Sequence, residues 1–158
     1  MRRTDREIKD INEIVDILNK GNVIRVSMFN DVYPYIVPLS YGFEQIEDKI
    51  YIYIHSANEG LKLDLIRNNP NVAVETDEFI KTERIKHGIT SRYRSVIAFG
   101  NALILDNDEE KKHGLRLIVD HYGYNDFNLD ICNNFSFTTV VRIEVKEIFG
   151  KKNLPNEW

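Results

Sequence analysis

The sequence predicts a mainly β protein, a small antiparallel β-barrel with peripheral α-helices. Segments in which apolar and β-branched residues occupy every second position recur along the chain at hairpin spacing. Only a few stretches show helical spacing instead. A parallel sheet needs a long crossover, usually a helix, between successive strands, so this order of elements favours an antiparallel barrel.

The composition is that of an ordinary globular protein. The 158 residues, 42% of them hydrophobic, are enough to bury one core, and we expect a single domain over residues 1–158. A net charge of −4 argues against general binding to nucleic acid or to a membrane surface, because phosphate groups are bound by clustered Lys and Arg. Cys132 is the only cysteine, so no intrachain disulfide can form, and no apolar run is long enough to span a bilayer. These features predict a cytoplasmic location.

The first half of the chain predicts one amphipathic helix and three strands. Thr4 and Glu7 have the spacing of a capping box, the apolar residues at 8–18 follow at helical spacing, and Gly21 is a helix stop. The period then changes to two, which predicts strands over 23–29, 33–41 and 49–55, with a polar turn over 44–48. Proline cannot donate a ladder hydrogen bond, so Pro34 and Pro38 belong at a sheet edge, at a bulge or where a ligand approaches.

The second half predicts two helices and further strands. A short helix covers roughly 59–68, a strand 71–77 and a polar loop 78–91. A long strand over 92–106 has Gly100 at a bend or bulge, and a last strand covers 135–150. Between these strands a helix begins at Asp108, and its core face consists of Leu115, Ile118, Val119 and Tyr122.

The stretch "HSANEGLK" at positions 55–62 joins a strand to the start of a helix. Ser56 supplies a hydroxyl, Ala57 and Asn58 supply backbone N–H groups, and Lys62 supplies a positive charge. This combination suits a phosphate group at a helix N-terminus. Ordinary capping of the helix explains the same residues without a ligand, so the spacing leaves both readings open.

The stretch "RYRSV" at positions 92–96 places two arginines and a tyrosine at the start of an apolar strand. A ligand or partner at this place would explain the charge, and so would an edge strand protected from aggregation. His113 and His121 lie two helical turns apart without a third ligand, which favours a solvated helix face over a metal site. We predict no metal site.

Three motifs in order, "PYIVPLSY", "IYIHSANEGLKLDLIRNNPNVAV" and "YRSVIAFGNALIL", resemble the pyridoxamine-phosphate-oxidase-like flavoproteins. Within that family they are most similar to the nitroimidazole-resistance, or nitroimidazole-reductase, branch. The resemblance covers residues 2–105 well and the last third loosely. It implies a split β-barrel that forms a homodimer and holds two FMN molecules at the subunit interface.

The resemblance also implies which residues form the site. The segment "IVPLS" is similar to the strand beside the flavin ring, "HSA" to the segment beside the ring and the ribityl phosphate, and Lys62 to a basic phosphate ligand. Ser95 and Val96 stand where the oxidases have a Gln-Val pair, and His55 matches a strand-end histidine for which a catalytic role has been proposed. The cofactor-binding residues implied in this way are Val37, Pro38, Leu39, Ser40, His55, Ser56, Ala57, Leu61, Lys62, Tyr93, Arg94, Ser95 and Val96.

One departure from the family narrows the function. No arginine follows Arg142, whereas the oxidases that make pyridoxal phosphate carry an arginine-rich C-terminal segment for the substrate phosphate. The resemblance therefore implies an FMN-dependent reductase that passes electrons from a reduced donor to a small electron-poor acceptor. A non-catalytic flavin- or haem-binding module is the alternative. Trp158 in the C-terminal tail suits either a subunit interface or packing on its own barrel.

Overall fold

The described part of the chain contains eight strands and three helices. The computed structural model describes residues 3–131 and 137–155, so Cys132 and Trp158 lie outside the described residues. The strands are β1 (Glu7–Ile8), β2 (Ile24–Met28), β3 (Tyr35–Leu39), β4 (Tyr41–Ile46), β5 (Lys49–Ala57), β6 (Asn71–Ile85), β7 (Gly88–Ile104) and β8 (Thr138–Asn153). The helices are α1 (Ile11–Lys20), α2 (Leu61–Asn68) and α3 (Asp108–His121), with short 3-10 turns at Thr4–Arg6 and Leu129–Ile131.

All strand pairs are antiparallel and belong to one strongly curved sheet with the order β3-β2-β6-β7-β8-β5-β4, in which β1 adds to β8. The two edge strands β3 and β4 are separated in sequence only by Ser40. One stretch of chain therefore pairs with β2 before Ser40 and with β5 after it, which brings the two sheet edges together at this residue. This is the split-barrel architecture, and the predicted fold class is confirmed.

The barrel interior is apolar and is covered by helices. The main core combines inward side chains of the strands with those of α1 and α2, and its largest members are Tyr41, Ile17, Leu18, Ile24, Ile52, Ile54, Leu63 and Ile143. A second, smaller core lies on the outer face of β5 and β8, where α3 covers Tyr53 and Val140. Within the described ranges, no helix is long and apolar enough to cross a membrane.

The start of α1 differs from the prediction. Thr4 and Glu7 do not form a capping box; Asp10 is the N-cap and accepts a 2.9 Å hydrogen bond from the Asn12 backbone N–H. Ile8 belongs to β1 and pairs with Gly150 of β8. A Cβ on Gly150 would approach the Ile8 Cβ to 2.7 Å, so the glycine allows this close pairing.

The predicted loop over 78–91 is wrong, because these residues extend β6 and β7 into one long hairpin that turns at Lys86 and His87. Most side chains in this segment are exposed, so it lacks the apolar alternation that marks a half-buried strand. The predicted turn over 44–48 is likewise too long, since Glu44, Gln45 and Ile46 belong to β4.

Other local predictions are confirmed. A register shift between Phe99 and Gly100 marks a bulge where β7 pairs with β8. Pro38 lies in the edge strand β3, where its missing N–H interrupts no ladder to a second neighbour. Leu115, Ile118 and Tyr122 pack in the α3 core as predicted, whereas Val119 does not belong to this cluster and Leu117 does.

Candidate functional site

The end of β5 and the start of α2 form a polar turn in an otherwise apolar region. Ser56 is only 8% exposed, and its hydroxyl donates a 2.9 Å hydrogen bond to the Ala57 carbonyl oxygen. The Lys62 side chain folds back from the first turn of α2 and donates from Nζ to Ser56 Oγ at 2.8 Å. The local sequence thus brings the hydroxyl and the ammonium of "HSANEGLK" into direct contact, as the motif suggested.

The charge of Lys62 is not balanced by a carboxylate. Among the described residues its only polar side-chain partner is the neutral Ser56 hydroxyl, and Lys62 itself is half-buried. No side chain caps α2, whose N-cap is Gly60 at φ 138°. The first N–H groups of a helix have no intrahelical partner and carry partial positive charge. A half-buried cation beside an uncapped helix start is an arrangement that favours a bound anion.

His55 lies next to this cluster on the outer face of β5. Tyr41 pairs with Ile54 across β4 and β5, so Ser40 and His55 occupy neighbouring positions at this barrel corner. Partial burial, with a contribution from the Lys62 charge, lowers the pKa of His55 below its ordinary value near 6.5. The imidazole is therefore mainly neutral at pH 7. In the part of the chain that the structure describes, no group of three or more His, Cys, Asp or Glu could hold a metal ion.

The link between His55 and Lys62 gives a first prediction. Replacing Lys62 with Met should raise the pKa of His55 toward 6.5, because one of the two causes of the depression is removed. NMR titration of the His55 ring proton measures this, with Lys49→Met at the other end of β5 as the control.

A depressed pKa means that the unfolded state binds protons more readily, so native stability falls as pH drops through about 6.5. Lys62→Met should reduce that loss, and an unchanged His55 pKa would contradict the coupling.

The candidate residues on β3 divide between two faces. Val37 and Leu39 point inward and pack against the main core, whereas Pro38 and Ser40 are exposed on the outside. A ligand outside the barrel would meet the backbone of this strand together with the Pro38 and Ser40 side chains. Leu61, the first residue of α2, is 47% exposed beside Lys62.

The candidate residues on β7 lie apart from this cluster, and no hydrogen bond or ion pair between described residues joins the two groups. Val96 is a core residue. The Arg94 side chain is 11% exposed, and its guanidinium pairs with Glu78 and with Asp16 of α1, at 2.7 Å to the latter. Hydrogen bonds from Arg94 and Lys20 lower the pKa of Asp16. Arg94 thus ties α1 to the sheet, and of this group only Tyr93 and Ser95 face outward.

Thr139 is a neighbour of the cluster that the sequence did not point to. It pairs with Ser56 across β5 and β8, and its hydroxyl donates a 2.9 Å hydrogen bond to Asn58 Oδ1. This contact holds the turn before α2 against the start of β8. Of the α3 histidines, His113 lies on the exposed helix face, as predicted, and bonds Glu44 at 2.9 Å. His121 is partly buried, bonds the Gly21 carbonyl oxygen at 2.7 Å and packs on Tyr41.

The chain is an antiparallel split barrel with an unneutralised lysine at the β5–α2 turn. The family model described as pyridoxamine 5'-phosphate oxidase matches residues 10–152, and the chain belongs to this family. A curated relative, an uncharacterized protein of Rhizobium meliloti, is 29% identical over 87 residues. That match covers 54% of each protein, so the chain matches about half the length of this relative.

Several solved structures have the same fold. A putative 5-nitroimidazole antibiotic resistance protein of Bacteroides thetaiotaomicron is 25% identical, with a TM-score of 0.82 over 92% of this chain and 86% of that one. The flavocytochrome Anf3 of Azotobacter vinelandii is 17% identical, with a TM-score of 0.80 over 98% and 72%. A FAD- and heme-binding protein of Mycobacterium smegmatis is 17% identical, with a TM-score of 0.78 over 95% and 74%. At 17% identity the last two likenesses show the fold alone.

Proposed function

We propose that the chain is a flavoprotein that binds FMN and reduces small electron-poor acceptors such as nitroimidazoles or other nitro compounds. The observation that carries the proposal is the half-buried Lys62 ammonium, which contacts Ser56 and no described carboxylate at the uncapped start of α2. Membership of the pyridoxamine 5'-phosphate oxidase family and the likeness to a putative 5-nitroimidazole resistance protein support it.

The residues present fit the phosphate of FMN. A phosphate carries close to two negative charges and accepts several hydrogen bonds. The Lys62 ammonium, the Ser56 hydroxyl and the uncapped N–H groups of α2 can all donate to it from one side of the turn. A bound phosphate would neutralise the charge of Lys62 and would also accept hydrogen bonds from the backbone N–H groups at the start of α2.

In this proposal, the reaction takes place at the barrel corner formed by Ser40 and His55. FMN, when bound, supplies the electron-transfer chemistry, and the protein supplies anchoring and orientation. His55 is exposed enough to meet an acceptor and can hold or release a proton on its imidazole near neutral pH. A phosphate at Lys62 would offset the charge that depresses the His55 pKa and so bring that pKa closer to neutrality.

The proposal includes a homodimer in which the second copy completes the site. Tyr93 and Ser95 face outward on β7 without contact to the Lys62 cluster, so a site that used both groups would draw them from different copies. The electron donor is a reduced small molecule or protein.

Reduction and reoxidation of the purified protein loaded with FMN test the proposed activity. We expect a yellow protein whose visible absorption bleaches with a reduced nicotinamide or another reductant and returns when a nitroimidazole is added without oxygen. A bound flavin that is bleached but not reoxidised by any nitro compound would contradict the reductase and favour the non-catalytic flavin-binding module. A spectrum with a haem band in place of flavin bands would overturn the cofactor assignment.

A further inference from the structure

A basic pocket of about 520 Å³ lies where the 3-10 turn Thr4–Arg6 meets the end of β8. Residues 3, 5 and 6 line one side of this pocket, and residues 152–155 line the other. The two sides are fixed against each other because Ile8 of β1, two residues after the turn, pairs with Gly150 of β8. The pocket is therefore a part of the fold and not a gap between loose chain segments.

Arg6 is a cation without a partner in the basic pocket. The other two lining cations are paired: Arg3 bonds Asp5 at 2.6 Å and 2.7 Å, and Lys152 bonds Glu13 of α1 at 2.8 Å and 2.9 Å. The Arg6 side chain makes no hydrogen bond or ion pair with any described residue, although it is half-buried. Partial burial of an unpaired charge is unfavourable, so the guanidinium favours the arrival of an anion.

The charges of the pocket match one negative charge. Those that line it or pair with its lining are three cations and two carboxylates, a net charge of +1: Arg3, Arg6, Lys152, Asp5 and Glu13. The next charged residues, Glu7 and Lys151, lie opposite each other on β1 and β8 and cancel. A carboxylate carries one charge and fits the planar fork of a guanidinium, whereas a phosphate carries close to two charges.

The pocket also has an apolar wall. Leu154 and Pro155 line it beside the cations, and both are partly buried. An apolar wall next to an unpaired guanidinium suits an organic anion with an apolar body more closely than it suits an inorganic ion.

Tyr93 lies beside the basic pocket. It pairs with Asn153, a lining residue, across β7 and β8. The pKa of Arg3 is raised mainly by its hydrogen bond to Asp5, and Tyr93 adds to this effect, which requires the two side chains to be close. In the proposed function, Tyr93 belongs to the group that meets the flavin from the second copy, so the pocket opens next to that flavin.

We infer that the basic pocket binds a carboxylate group of the electron acceptor. The carboxylate contacts the Arg6 guanidinium, and the apolar body of the acceptor lies along Leu154 and Pro155 with its reducible group toward Tyr93. This inference rests on the proposed function and adds a substrate class to it, small electron-poor aromatic compounds that carry a carboxylate.

The KM values of two matched acceptors test the pocket in the FMN-loaded protein. Para-nitrobenzoate and para-nitrobenzamide have nearly the same shape, and only the first is charged. Arg6→Gln should raise the KM for para-nitrobenzoate by about ten-fold, the low end of the loss expected when a hydrogen bond to a charged group is removed. Its kcat and the KM for para-nitrobenzamide should not change, because the lost contact involves only the carboxylate. Arg6→Lys keeps the charge without the fork and should recover part of the loss.

Arg84→Gln is the control for this comparison. Arg84 also lacks an ion pair within the described residues, but it lies near the tip of the β6–β7 hairpin, so its loss should leave both KM values unchanged. An unchanged KM for para-nitrobenzoate in Arg6→Gln would overturn the inference. An equal rise for both acceptors would overturn it too, since the effect would then not depend on the carboxylate.

Direct binding of benzoate separates the pocket from the proposed reaction. NMR titrations with benzoate and benzamide, followed at the backbone amides of Arg6 and Asn153, need no flavin turnover. Benzoate should shift these signals in the wild-type protein and bind more weakly to Arg6→Gln, whereas benzamide should shift them little. Benzoate binding in a protein that reduces no nitro compound supports the pocket and contradicts the reductase. Absence of benzoate binding overturns the pocket even if nitro compounds are reduced.

Discussion

Lys62→Met is expected to weaken FMN binding by about ten- to a hundred-fold. A hydrogen bond to a charged group contributes about 1.5–3 kcal/mol, and each 1.4 kcal/mol corresponds to about a factor of ten in affinity. Lys62 contacts only Ser56 among described polar side chains, so removing its charge breaks no native ion pair there. Methionine retains the length of the side-chain stem, which limits the effect on packing. Equilibrium titration, followed by the quenching of flavin fluorescence, measures the change.

The control for this prediction is Lys49→Met. Lys49 lies at the opposite end of β5 and pairs with Glu144 at 3.4 Å on an exposed surface. It matches Lys62 in charge but lies away from the β5–α2 turn, so its loss should leave FMN affinity unchanged. If Lys62→Met binds FMN as tightly as the wild type does, the phosphate does not bind at this turn.

His55→Ala is expected to slow turnover of a nitroaromatic substrate by roughly ten-fold to a thousand-fold, a range that extends below the roughly hundred-fold to ten-thousand-fold contribution typical of a positioned acid or base. His55 lies beside Ser40, outside the Lys62–Ser56 contact, so FMN affinity should change little. The His55→Ala variant should therefore retain the absorption of its bound flavin, while its turnover rate falls. A structural histidine would instead lower stability and flavin occupancy together.

His113→Ala serves as the control for the His55 variant. His113 is a half-exposed histidine on α3 that bonds Glu44, and it does not touch the β5–α2 turn. Its loss should leave turnover of the flavin-loaded protein unchanged. Unchanged turnover in His55→Ala with full flavin occupancy would remove His55 from the mechanism.

The half-buried strands could be predicted from the sequence, and the fully exposed ones could not. β2 alternates apolar and polar residues because one face packs on the core, and this period of two is visible. The outer part of the β6–β7 hairpin, residues 81–92, is exposed on nearly all sides, so its apolar residues do not recur at every second position. The predicted capping box of Thr4 and Glu7 is wrong for another reason. Ile8 pairs with Gly150, a residue 142 positions away, and that contact overrides the local spacing rule.

The candidate site likewise contains contacts that could be predicted from the sequence and contacts that could not. Ser56 and Lys62 are six residues apart, so their contact could be predicted from one continuous motif. Thr139 reaches this turn only through the register of β5 with β8, which no local pattern reveals. No local pattern indicates which face of β7 Arg94 occupies. The register of β7 in the sheet places it on the inner face, where it pairs with Asp16 of α1.

Parallel titrations of the wild-type protein with FMN and with riboflavin test the central claim most directly. The two ligands share the ring system and differ by the phosphate, so their difference in affinity isolates the anion site at Ser56 and Lys62. We expect sub-millimolar binding of FMN and binding of riboflavin weaker by about ten-fold or more, in line with the loss of charge-assisted hydrogen bonds. Equal affinities for FMN and riboflavin would contradict the account.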